Sequence, residues 1–361
     1  MKKKTLLLIP VCILLGSLVW SLAAADREDP LASLSYLTGA FTKQVEAEVE
    51  ERLDESDEAL LAQLQQTGEI PVNIAPTWVE KRMKQEDILL GSTGTGVLLL
   101  SGSVTVRYAS GAVVDVTTGT VLASGAALEK QHRYLVAEET SASFIVASPT
   151  AVIDYQGSYT FQDSSLPDYN AMARALCQLN MFRGTTIGYG EGFELEEPTT
   201  RIQALIMFIR VLGEEEEALA WTGNIPFKDV LDWAKPYVGY AYEKGYTNGT
   251  GPTTFSPDMA ATANHYTEFV LRAMGYSSTT NIDLSDTLIR AYETGVLTEG
   301  EVGKLGSLDT FLRAELVYIS YYALHAELPN GDTLAERLQD KGVFTASAWK
   351  EARKSITTGR L

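Results

Sequence analysis

The chain repeats itself. "AYEKG" at 241–245 returns as "AYETG" at 291–295, an offset of 50 that also pairs Phe255 with Leu305, Leu271 with Tyr321 and Met274 with Leu324. Upstream an offset of 62 pairs Phe193 with Phe255, Thr200 with Thr262, Arg210 with Arg272 and Gly213 with Gly275. Two registers sharing one apolar pattern indicate three copies of a unit, ending near Gly213, Gly275 and His325. Repeats of this length are supersecondary units that must stack to bury an apolar face.

The middle copy shows the plan. Asp229 is an expected helix cap, followed by a stripe of Val230, Trp233, Ala234, Val238, Ala241 and Tyr242. Pro236 suits a first helical turn, and Gly245 a C-terminal stop. "TNGTGPTTFSP" reads as a loop with Asn-Gly turn chemistry, so Asn248-Gly249-Thr250 is first a turn rather than a glycosylation acceptor. A second helix then runs to Gly275. Each unit is therefore expected to be helix, glycine-rich loop, helix.

The first copy best shows how the second helix starts. Thr200 and Gln203 have the spacing of a capping box, and Ile202, Leu205, Ile206, Ile209 and Leu212 form the inward stripe. Arg201 is left at the first helical position, expected to point away from that stripe. A cation there opposes the helix dipole. Free amides, a positive dipole end and a guanidinium together suit a carboxylate. The plain alternative for Arg201 and for Arg313 is a surface or ion-paired residue.

The rest of the chain divides by pattern. "MKKK", the apolar run "TLLLIPVCILLGSLVW" and the small residues of "SLAAA" read as a secretory signal over 1–25, with an uncleaved anchor as the alternative. Cys12 lacks the small residues expected before a lipidated cysteine. Residues 26–84 form an acidic amphipathic helical segment, with Phe41, Val45, Val49 and Leu53 spaced by four. Residues 85–162 change to short runs rich in Val, Thr, Tyr and Ile, punctuated by glycine and serine. That is a small antiparallel β-roll or sandwich, similar in tempo to FecR-type β-domains. "GSTGTG" at 91–96 has no Lys-Ser/Thr after it and a strand rather than a helix behind it, so it is a turn and not a phosphate loop. The repeats occupy 163–328 (about 163–213, 226–275 and 282–328), and 329–361 is a helical tail.

Charge and chemistry narrow the functions. The net charge is −18 over 361 residues, and more negative once the leading lysines go, which repels nucleic acid. After signal cleavage Cys177 is the one remaining cysteine, so no disulfide forms within the chain and Cys177 reads as core. His132, His265 and His325 are isolated and show no metal-ligand spacing. No Gly-x-Ser-x-Gly elbow is present, and no cofactor is implied. His265 reads as a turn or surface residue, and Tyr318, Tyr321 and Tyr322 as core.

"FKDVLDWAKPYV", "TFSPDMAAT", "TTRIQALIMFIRVLG" and "FLRAELVYISYYAL" resemble S-layer homology domains. The resemblance spans roughly Asp163 to Leu328, nearly half the chain. It implies that the repeats form an all-α, three-repeat, pseudo-threefold helical bundle, which with the N-terminal helix and small β-domain read above makes a multidomain α+β protein. It also implies non-covalent binding of a secondary cell-wall polysaccharide, typically through pyruvylated sugars held by a motif arginine, on an exported protein of a Gram-positive-type envelope. Carried over residue by residue, copy one offers Thr200, Arg201 and Gln203, with glutamine where the family has glutamate. Copy three offers Arg313 and Glu315, with Leu312 replacing the threonine. Copy two has Ala263 in the arginine position and Trp233 in the aromatic one, a residue that also fits a core. Two further readings stay open. The repeats are structural only, with the β-domain and acidic helix contacting other envelope proteins; or the protein is a wall-associated hydrolase with an unrecognised site.

Overall fold

A computed structural model describes residues 45, 47–49, 73–185, 188–276 and 287–361. The chain falls into two compact units, Met1–Pro71 and Val72–Leu361. Of the first, only residues 45 and 47–49 are described, and they are helical. The signal segment and nearly all of the acidic helix therefore lie outside the described residues.

The second unit begins with strands. They are β1 (Asn73–Lys84), β2 (Ile88–Gly91), β3 (Gly96–Ser101), β4 (Val104–Tyr108), β5 (Val113–Asp115), β6 (Thr120–Leu122), β7 (Arg133–Val136), β8 (Ala142–Val146) and β9 (Thr150–Gln162). The helical expectation for 26–84 is thus corrected at its C-terminal end, since 73–84 is a strand. Pro76 lies within that strand. The pairing of β1 with β9 slips between Ala75 and Val79, so the proline, which has no N–H to give, sits in the irregularity. All nine strands belong to one antiparallel sheet in the order β4-β8-β2-β9-β3-β7-β5-β6, with β1 on β9. A single sheet fits the roll and not the two-sheet sandwich. Its apolar side is built by alternation: Val104 and Val106, Tyr134 and Val136, Phe144 and Val146 are buried. "GSTGTG" is a turn between β2 and β3, with Gly94 at φ 87°.

Among the described residues ten α-helices follow: α1 (Tyr169–Gln178), α2 (Arg201–Val211), α3 (Glu215–Ala220), α4 (Lys235–Glu243), α5 (Ala263–Met274), α6 (Thr287–Glu293), α7 (Glu299–Gly306), α8 (Arg313–Ala323), α9 (Leu334–Asp340) and α10 (Ala346–Ala352). They close on one apolar core that includes Tyr318, Tyr321 and Tyr322, with Cys177 packed at its edge. In copy two Pro236 lies in the first turn of α4, and Gly245 follows its end at φ 74°. In copy three the loop is not glycine-rich coil. It contains α7, started by a full capping box between Thr298 and Glu301.

Asp229 does not cap a helix. Its carboxylate accepts from the amides of Phe255 (2.9 Å) and Ser256 (2.7 Å), tying the opening of copy two to its own loop. Those amides hold its pKa below the usual carboxylate range, against the opposing effect of burial. The sheet and the helices meet through a buried polar seam. Arg82 Nη2 of β1 donates to Glu196 Oε1 at 2.6 Å and its Nε to Asn170 Oδ1 at 3.1 Å. Thr150 Oγ1 of β9 donates to the same Glu196 oxygen at 2.5 Å. Among the described residues no helix is long and apolar enough to cross a membrane.

Candidate functional site

The second helix of each copy is preceded by a short extended stretch: 198–200, 260–262 and 310–312. These stretches pair with one another. Thr200 bridges Ala260 and Pro198 bridges Leu312, while Ala261 N donates to Thr199 O at 2.9 Å and Thr199 N to Phe311 O at 3.4 Å. The helix starts then dock on the loop of another copy. Arg201 N donates to Met259 O (2.8 Å) and Ile202 N to Pro257 O (3.1 Å). Arg313 N donates to Glu197 O and Ala314 N to Leu195 O, both at 3.0 Å. Met259 and Glu197, like Pro257 and Leu195, stand one repeat offset of 62 apart. The two junctions are therefore built from the same backbone contacts.

The arginines occupy equivalent places in them. Arg201 is not pointing away from the core; it is 4% exposed. Its guanidinium lies over the rings of Phe255 (5.0 Å) and Phe269 (5.3 Å), and its Nη2 donates to Thr247 Oγ1 at 3.3 Å. Its Nε is buried without a hydrogen-bond partner. Arg313 lies over Phe182 at 5.2 Å, with Nε donating to Phe193 O at 3.2 Å. Burial lowers the pKa of both, a sign of cations held out of water. Nearby carboxylates act only at a distance: Glu268, which neighbours Arg201, is taken by Arg272 at 2.5 Å. Among the described residues neither Arg201 nor Arg313 forms an ion pair, whereas Arg82 and Arg360 do. The surface-residue alternative is thus set aside for Arg201, and the ion-paired one for both.

The other sequence candidates divide. Thr200 and Gln203 form the expected capping box, with Gln203 N donating to Thr200 Oγ1 and Thr200 N to Gln203 Oε1. They hold the helix start that presents Arg201. Glu315 is 1% exposed. Its Oε2 accepts from Leu312 N at 2.9 Å, so half of the box survives the loss of threonine, but its Oε1 is buried with no donor. Burial pushes its pKa up to about 7. Trp233 is brought to neither arginine junction by a described contact. It is 58% exposed, as is much of Tyr242, so the core reading of these two stripe residues fails while Val230, Ala234, Val238 and Ala241 are buried as expected. His265 is half-buried rather than superficial. Its Nδ1 has no partner, and burial and the charge of Arg201 depress its pKa. It sits one turn from Phe269 on the face that meets Arg201.

Thr247, Phe182 and Phe269 escaped the sequence reading. Phe193 and Phe255 were visible in it only as repeat markers; what a single sequence hides is that one copy's phenylalanine packs under another copy's arginine. The third junction, where Ala263 replaces the arginine, is different. A cavity of about 320 Å³ opens there between Ala260–Asn264 and Leu305–Phe311.

Residues 226–262 match the family model of the S-layer homology domain. A stretch of 78 residues, 21% of the chain, is 35% identical to a cellulosome-anchoring protein of Acetivibrio thermocellus. The match covers 17% of that protein, so the chain corresponds to less than a fifth of its length. The middle repeat thus carries an S-layer homology domain.

Proposed function

We propose that the protein is held non-covalently on the cell wall by its repeats, with Arg201 and Arg313 each binding an acidic, pyruvate-bearing sugar of a secondary wall polymer. The observation that carries this reading is the pair of equivalent arginines, desolvated, stacked on aromatic rings and lacking carboxylate partners. A buried cation left unneutralised costs stability, and an acidic ligand would remove that cost. The helix N-terminus beside each arginine adds a positive dipole end. The likeness to a cellulosome-anchoring protein over 78 residues supports the same role. The protein is read as an attachment protein at the cell surface and not as an enzyme.

The three repeats are read as a pseudo-threefold bundle. The two matching junctions and the cyclic order of the bridges, copy one to copy two and copy three to copy one, support that arrangement. Thr200, Gln203 and Glu315 serve by fixing the helix starts, and the exposed Trp233 offers a ring on which a sugar can stack. The chain's net charge of −18 does not forbid an anionic polymer. At physiological salt the screening length is about 8 Å, so distant carboxylates are muted while the groove arginines are not.

The test is sedimentation with purified sacculi that keep their secondary polymer and with sacculi stripped of it by acid. The mature protein is expected to pellet only with the intact walls, and the Arg201→Ala/Arg313→Ala variant to stay soluble. Failure of the parent protein to pellet would sink the attachment reading.

A further inference from the structure

Two Asn-Gly pairs lie in loops of the helical half, Asn248-Gly249 in copy two and Asn330-Gly331 after copy three, and both asparagines are exposed. An asparagine before glycine is the least hindered setting for one reaction, because glycine has no Cβ to block its own amide nitrogen. That nitrogen attacks the side-chain amide carbon of the asparagine. The fold treats the two pairs differently. The Asn330 side chain is held at both ends, its Nδ2 donating to Asp332 Oδ2 at 2.6 Å and its Oδ1 accepting from Asp332 N at 3.3 Å. The nitrogen that would attack it, Gly331 N, donates to Leu328 O at 2.9 Å. The Asn248 side chain, in contrast, forms no hydrogen bond among the described residues. Gly249 N donates to a side-chain hydroxyl, Thr247 Oγ1, at 3.2 Å.

The loop of copy two also requires its glycine. Gly249 has φ 74°, and a Cβ there would lie 2.4 Å from Phe227 Cε1 and 2.5 Å from Thr254 O. An unhindered nucleophile is therefore fixed beside an unheld side chain. The local charge favours the attack as well. Thr247 Oγ1 accepts from Arg201 Nη2 at 3.3 Å as well as from Gly249 N, so the guanidinium and the amide share one oxygen. A cation so near, with no carboxylate paired to it, stabilises the deprotonated amide nitrogen that performs the attack.

We infer that Asn248-Gly249 is a self-modifying site, at which the asparagine converts to aspartate and isoaspartate without an enzyme. Gly249 N loses its proton and bonds to Asn248 Cγ, the Cγ–Nδ2 bond breaks, and ammonia leaves with that proton. Water then opens the succinimide. Opening at Cγ gives aspartate; opening at the backbone carbonyl gives isoaspartate, whose side-chain methylene has entered the main chain. Either product puts a negative charge next to Thr247, the residue whose hydroxyl Arg201 holds. Isoaspartate also lengthens the loop leading to the Pro257 and Met259 carbonyls, which receive the start of α2. Resting on the attachment reading, the conversion is a built-in release, because a carboxylate of the chain's own opposes an acidic sugar at Arg201.

The experiment ages the mature chain at pH 8 and follows residues 248 and 330 by peptide mass spectrometry, with isoaspartate read by enzymatic methylation. Conversion at 248 is expected to outpace that at 330 by about tenfold or more, the factor set by one or two net hydrogen bonds. In guanidinium chloride the two rates are expected to converge, since each asparagine then precedes a free glycine. Asp332→Ala, an exposed change that frees the Asn330 side-chain nitrogen, is expected to raise the rate at 330 and leave that at 248 unchanged. Equal rates in the folded chain, the same ratio in the denatured chain, or an unchanged rate at 330 in Asp332→Ala overturns the inference. The converted chain, separated by ion exchange, is expected to pellet several-fold less with intact sacculi, while Asn248→Gln aged alongside keeps its pelleting. Full pelleting of the converted chain, or an equal loss in aged Asn248→Gln, overturns the release. The conversion is read by mass whether or not the protein binds a wall, so the modification and the attachment reading fail separately.

Discussion

Replacing Arg201 by methionine should abolish its function at almost no cost in stability, and the structure lets that balance be worked through. The variant loses the 3.3 Å bond to Thr247 and two ring contacts at 5.0 and 5.3 Å. A hydrogen bond from a charged donor contributes about 1.5–3 kcal/mol, less at this length, and a cation over a ring about 0.5–2 kcal/mol. Thr247 is not orphaned, because its Oγ1 still accepts from Gly249 N. Against these losses, the variant removes a buried Nε with no partner, which costs about 1–3 kcal/mol, and a cation at the wrong end of a helix dipole, about 0.3–1 kcal/mol. Methionine keeps an apolar stem, and its sulfur on Phe255 and Phe269 returns about 0.3–1.5 kcal/mol. The terms nearly cancel, so unfolding free energy should stay within about 1–2 kcal/mol of the parent, a melting shift of roughly 4 °C or less. Wall affinity should fall by the worth of one charge-assisted contact, about 1.5–3 kcal/mol, or roughly 10- to 150-fold. Denaturation read by calorimetry, paired with sacculus binding isotherms, gives both quantities on one preparation. A loss of more than about 3 kcal/mol in stability would show the arginine to be structural and refute the reasoning, as would parental affinity for the wall.

Arg82→Ala is expected to behave oppositely, costing about 3–5 kcal/mol by chemical denaturation, because it strands the Glu196 carboxylate, whose side chain is 2% exposed. Thr200→Ala should cost about 1 kcal/mol, leaving Gln203 N uncapped, and should weaken wall binding less than Arg201→Met does. Glu315 gives a pH signature. Its folded pKa of about 7 lies above the ordinary carboxylate value, so its burial is tolerated fully at low pH and stability declines as pH rises from about 4.5 to 7. Glu315→Gln, which retains the oxygen facing Leu312 N, should therefore be more stable than the parent at pH 8, by at most roughly 3 kcal/mol, and no more stable at pH 4. A pH-independent difference in melting temperature would contradict this account.

The repeats were legible because they are local. The capping box at Thr200, the first-turn Pro236 and the stop at Gly245 each depend on residues within a few positions, and local rules read them correctly. Asp229 misled for the opposite reason: its acceptors are wanted by amides 26 and 27 residues away, a loop contact that outweighs helix capping. Strand β1 was hidden by Pro76 and by the acidic run before it, since nothing in its own pattern shows that β9 runs alongside. Trp233 and Tyr242 satisfied the helical period, yet the stripe is wider than the face that the core covers.

The arginines mark the limit most clearly. A sequence places Arg82, Arg201, Arg313 and Arg360 in one class, and the fold sorts them by partner. Arg360 reaches 59 residues back to the fully buried Glu301, with Nε–Oε1 at 2.5 Å, and Arg82 reaches across the seam to Glu196. Both neutralise a carboxylate that would otherwise be stranded, so their roles close within the molecule. Arg201, buried, and Arg313, partly buried, carry the same charge and meet, among the described residues, rings, a hydroxyl and carbonyl oxygens. Where a repeat lacks that arginine, at Ala263, the corresponding backbone bonds of the junction are also missing among the described residues. The two losses coincide at one junction out of three. The cation and the seam thus belong to one arrangement, and changes in a single copy can open a new cavity without disturbing the bonds that hold the other two.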